Sequence, residues 1–167
     1  MVTIKRWFIH TFIAPWRWRK LFPKATLEAI ETAIQQSESH HCGELRFAIE
    51  NSLSSRQIWQ GLSSRQRALQ VFSDLKVWDT EENSGVLIYL LLAERTVHII
   101  ADRGINKRVT QGQWDEVVQA MQQNFKQGEF ERGSLVGIER ITALLAEHFP
   151  ASADNPNELP NAPVILN

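Results

Sequence analysis

The chain has little cysteine, little tyrosine and no long apolar run, and each scarcity excludes something. One cysteine, Cys42, rules out an internal disulfide framework and fits a reducing compartment. The longest apolar run, residues 86–93, is eight residues and too short to cross a bilayer. No secretory signal develops, because His10, Pro15, Arg17 and Arg19 interrupt the apolar residues that follow Lys5-Arg6. G-x-G-x-x-G, phosphate-loop, H-E-x-x-H and G-x-S-x-G patterns are all missing. A net charge of −1 supplies no global field for nucleic acid, and no nucleic-acid module is legible. The expected setting is cytoplasmic, with the inner face of the membrane as a peripheral site.

What is present is an ordinary globular composition over 167 residues, enough for one domain with a sizeable core. The near-neutral total hides an asymmetry. Residues 1–24 carry six cations and no carboxylate, while the remainder is net −7. Three of the six tryptophans fall within the same first stretch, among Phe8, Ile9, Phe12 and Ile13. Trp favours membrane–water interfaces and Lys and Arg favour anionic lipid, so Trp7, Trp16, Arg17, Trp18 and Arg19 form a candidate contact surface for a membrane or a membrane-protein partner. The alternative packs these aromatics on the domain with the cations reaching outward. The expected organisation is a basic aromatic arm over 1–23, a domain over 24–150, and a polar, proline-rich tail over 151–167.

Apolar periodicity predicts a helix over 24–39, from Leu27, Ile30, Ala33 and Ile34. Residues 44–51 alternate, which predicts a half-buried strand whose polar Arg46 and Glu50 make a surface pair. A helix is expected over 56–76, weakened by Gly61 and Ser63-Ser64. Residues 86–92 are apolar throughout except for the Tyr89 hydroxyl, the pattern of a strand covered on both faces. A return strand is expected over 96–101. The Trp114 stripe belongs to a core helix, and a last helix runs over 131–148. The apolar end of the tail, residues 164–166, either docks as an edge strand or stays mobile.

This order implies an α/β/α three-layer sandwich with a small mixed sheet. Its first two strands are parallel, its third is antiparallel, and helices cover both faces. It also brings three segments to one sheet edge: 40–44, 79–84 and 102–104. Clustered carboxylates there would be relieved by a hard divalent cation, Ca2+ or Mg2+, with Asp79, Glu81 and Asp102 as ligands. Arg103, beside Gly104, is the candidate anion contact. His40, His41 and Cys42 lack the second ligand pair that a zinc site needs.

GELRFAIE (43–50), NSGVLIYL (83–90), ADRGI (101–105) and the 125–150 helix segment resemble the TPM-domain family, in particular its short soluble bacterial branch. That resemblance implies the same sandwich fold, a divalent-metal site at one sheet edge and membrane-related roles. It also implies an acid-phosphatase activity attributed to some members. Where longer members have Gly-x-Gly after the return strand, this chain has Asp102-Arg103-Gly104. No catalytic residue carries over on that match. Two functions follow as expectations: a ligand-binding domain that acts as an interaction or membrane-associated accessory protein, and a metal-assisted phosphomonoesterase.

Overall fold

The apolar run over 86–92 becomes a strand with no side open to water. The computed structural model describes residues 4–153 and 156–166. Along them the chain forms α1 (Ile4–Phe12), α2 (Arg17–Leu21), α3 (Lys24–Ser37), β1 (Glu44–Glu50), α4 (Ser55–Trp59) and α5 (Ser64–Asp74). It continues as β2 (Gly85–Leu91), β3 (Thr96–Ala101), α6 (Arg103–Asn106), α7 (Gln111–Lys126), α8 (Phe130–His148) and β4 (Val164–Leu166). The sheet order is β3-β2-β1-β4, with β1 parallel to β2 and β4, and β3 antiparallel to β2.

Every residue of β2 is buried. On one face Leu45, Phe47, Ile49, Val86, Ile88 and Leu90 pack against α3, α7 and α8. On the other, Ala48, Leu87, Tyr89 and Leu91 meet Ile58 of α4 and Ala68 and Val71 of α5. The chain is a three-layer α/β/α sandwich.

Three features depart from, or decide between, what periodicity implies. The helix expected over 56–76 is two helices, because Gly61 adopts φ 73° after α4 and Ser63 starts α5 afresh with a capping box to Gln66. β1 is buried at all seven positions rather than at alternate ones. Arg46 and Glu50 are consequently no surface pair: Arg46 Nη1 donates to the Ala162 carbonyl at 3.3 Å, and Glu50 accepts from Arg67 Nε at 2.9 Å and from the Tyr89 hydroxyl. The tail does this by docking β4 beside β1, so that a strand expected at a wet face becomes internal. The tail also sends Leu159 into the second core, while the arm sends Phe22, fully buried, into the first.

Gly85 opens β2 where no side chain fits, since a Cβ there would run into the Val77 carbonyl oxygen. Both groups are backbone, so neither can yield. Gly85→Ala should lower stability by about 3 kcal/mol, the upper part of the overpacking range. A urea midpoint within error of wild type, at unchanged denaturant slope, would count against this close approach.

Candidate functional site

The acidic edge forms where β2 begins and β3 ends. Asp102 N donates to the Gly85 carbonyl at 2.8 Å and Ile105 N to the Asn83 carbonyl at 3.3 Å, which ties α6 to the 79–84 loop. Arg103 Nε donates to Asn83 Oδ1 at 3.2 Å. Gly104 lies against the carbonyls of Glu82 and Asn83, and Gly43 against that of Ser84. Glu44 pairs in register with Gly85, so all three predicted segments do converge.

Their side chains take separate roles. Asp102 caps α6, its Oδ1 accepting from Arg103 N at 2.7 Å, while its Oδ2 is buried with no hydrogen-bond partner among the described residues. Asp79 and Glu81 are exposed, and the Glu81 amide donates to the Glu158 carboxylate at 3.1 Å. Among the described residues no three His, Cys, Asp or Glu side chains converge as a metal-ligand set. Cys42 Sγ lies 3.2 Å from the Pro150 carbonyl.

The edge carries a group that the alternating pattern of 44–51 did not single out. Glu44 is buried under the tail and accepts from the amides of Glu158 at 3.0 Å and Leu159 at 3.3 Å. Burial raises its carboxyl from 4.5 to about 7, against those two hydrogen bonds, which lower it. Burial likewise brings the His41 imidazole down to about 4.

The opposite end of the sheet holds the second constellation. α1 is docked there by its polar side. Arg6 Nε donates to Glu94 Oε1 at 2.7 Å and Arg6 Nη2 to the Leu62 carbonyl at 2.7 Å. Leu53 N donates to His10 Nδ1 at 2.9 Å, so the ring proton sits on Nε2 and faces Glu94 Oε1 at 3.0 Å. The hydrogen bonds from His10 and then Arg6 hold the Glu94 carboxylate at about 2. His10 is 3% exposed, whereas Ile4 is 67% and Phe12 74% exposed. Arg6 and His10 are four residues apart and share one face of the helix; Ile4, Phe8 and Phe12 occupy the opposite one. That spacing was the available signal, and it marks an amphipathic helix without saying which face docks.

Of the predicted contact residues, Trp7 turns inward and donates from Nε1 to Ser55 Oγ at 3.1 Å. Trp18 packs on the first core with the Arg19 guanidinium over its ring. Trp16 is exposed, and Arg17 is half-buried.

A protein-family model described as the TPM domain matches residues 19–144. Among solved structures, the chain is similar to the BA42 protein of the psychrophilic bacterium Bizionia argentinensis, determined by NMR. The two are 35% identical with a TM-score of 0.76, over 84% of this chain and 92% of that one. No curated protein matches.

Glu44 makes stability pH-dependent with a definite sign. Between about pH 4.5 and 7 the folded chain keeps a proton on Glu44 that the unfolded chain releases, so stability falls as pH rises through that window. Glu44→Gln retains a carbonyl acceptor and does not titrate. The wild-type urea midpoint, relative to that of Glu44→Gln, should therefore drop between about pH 5 and pH 8. A constant or rising difference would show that the tail does not hold Glu44 as a buried carboxyl.

Proposed function

The chain belongs to the TPM domain family, and from that membership and the setting of its first helices we propose an accessory domain that docks on an anionic membrane surface. One observation carries this: α1 docks through Arg6 and His10 and leaves Ile4, Phe8 and Phe12 exposed. A surface helix ordinarily does the reverse. Here Ile4, Phe8 and Phe12 form an outward ridge, with the Phe8 and Phe12 rings stacked at 5.5 Å and Trp16 exposed nearby.

Cations lie beside the ridge, Lys5, Arg17 and Arg95 lining one hollow with Phe8 and Phe12. Lys5, Arg19 and Lys20 are exposed, and no carboxylate occurs before Glu28. An apolar ridge bordered by basic residues suits the headgroup–acyl boundary, where each Lys or Arg near an anionic surface adds about 1 kcal/mol. Among the described residues no helix is long and apolar enough to cross a membrane, so the contact proposed is peripheral. The Arg6–Glu94–His10 cluster keeps the ridge facing away from the domain.

Phe8→Ser/Phe12→Ser should weaken co-sedimentation with phosphatidylglycerol vesicles by about tenfold, since each ring loses part of a 1.5–3 kcal/mol burial. Raised salt should weaken the wild type further. Binding that the double substitution leaves unchanged, or a wild type that ignores anionic vesicles, would instead point to a protein partner on this face.

A divalent cation at the acidic edge, with phosphomonoesterase activity depending on it, is the second reading. The buried, unpartnered Asp102 Oδ2 is what favours it. Among the described residues Asp79 and Glu81 do not join Asp102 in a group of three that could hold a metal ion, so the support for this reading is that single oxygen. Titration calorimetry with Ca2+ and Mg2+ decides it: a cation would give heat that Asp102→Asn abolishes, and the same trace from both proteins would remove the cation.

A further inference from the structure

A cavity lies beside the arm but is not part of its outer ridge. It is about 420 Å³, within the range of small-molecule sites, and is bounded by α2, the β2–β3 turn and the junction of α7 with α8. Leu90, Leu92 and Val97 form its floor, each less than a tenth exposed. Phe125 and Phe130 form a wall, their rings stacked at 5.2 Å. Three cations complete the lining, Arg17, Arg95 and Lys126, and no carboxylate does.

Cations around an apolar chamber normally have carboxylates nearby to pair with. None of these three makes a salt bridge among the described residues. The adjacent carboxylate, Glu94, is already engaged by Arg6 and His10. Arg95 has φ 54°, a left-handed turn position where Gly or Asn is the unstrained choice. That turn places the Arg95 side chain in the lining of the apolar chamber.

We propose that this cavity takes the hydrocarbon chain of an anionic amphiphile, with the carboxylate or phosphate head held by Arg17, Arg95 and Lys126. The apolar floor takes the chain out of water, and the cations at the same site select a charged head over a neutral one. The site does not depend on membrane docking, because it can be filled by a free amphiphile from solution as well as by a lipid.

The test is a fluorescence titration with dodecanoate and with dodecyl phosphate, both below micelle formation, and dodecanol as the neutral control. The wild type should bind both anions saturably and dodecanol at least about tenfold more weakly. Arg95→Ala/Lys126→Ala should weaken the anions by about tenfold, and Gln122→Trp, which fills the chamber from the half-buried Gln122, should block all three ligands. Phe8→Ser/Phe12→Ser should bind as wild type does, which separates this site from the proposed vesicle contact. A parallel titration with phosphatidylglycerol vesicles distinguishes membrane lipid from free amphiphile as the source. Dodecanol bound as tightly as dodecanoate, no saturable binding of either anion, or binding that survives Gln122→Trp would each overturn the proposal.

Discussion

A strand with no wet side sets the terms for everything around it. β2 has all seven residues buried, and its neighbours β1 and β3 occupy both of its hydrogen-bonding edges. Such a strand needs apolar cover above and below, which requires two helical layers. α3, α7 and α8 supply one, and α4 and α5 the other. The two ends of β2 then define two distinct places: an acidic edge at Gly85 and a basic one beyond Leu91.

Burial that complete draws polar groups inside, and two of the buried carboxylates are matched with partners from distant segments. Glu50 is held by Arg67 and Tyr89, and Glu44 by the amides of Glu158 and Leu159. Burial raises the Tyr89 hydroxyl well above its usual value, so it stays a donor to the Glu50 carboxylate. An unpartnered carboxylate in such a place would be far more destabilising than the pair is stabilising. The tail is therefore part of the domain: without it Glu44 and one edge of β1 would lose their partners.

The basic end is organised by a single carboxylate. Glu94 binds Arg6 and His10, and this has two consequences at once. It turns the polar face of α1 inward, which leaves Ile4, Phe8 and Phe12 outside. It also engages the carboxylate next to Arg95, while Arg95, Arg17 and Lys126 line a chamber with no carboxylate among the described residues. An apolar ridge and an apolar chamber, both bordered by cations, thus share one end of the molecule, and the acidic loop sits at the other.

Local pattern carried much of this. The apolar run over 86–92, the alternation over 44–51 and the helical stripes around Ile30, Trp114 and Ile138 determined the elements, and their order determined the sandwich and the meeting of 40–44, 79–84 and 102–104. Side-chain period and chain connectivity are local properties, so they are written in the sequence. What tertiary structure alone decided was which faces meet water. Glu44, Arg46 and Glu50 went inside because β4 and two helices arrived from elsewhere in the chain, and α1 turned its apolar side outward because Glu94, 84 residues beyond His10, took its polar side. Asp79, Glu81 and Asp102 came to one edge, where Asp102 caps α6, the Glu81 amide donates to Glu158, and no group of three among the described residues could hold a metal ion. Burial depends on what packs against a residue, and that is a property of contacts between segments far apart in the chain.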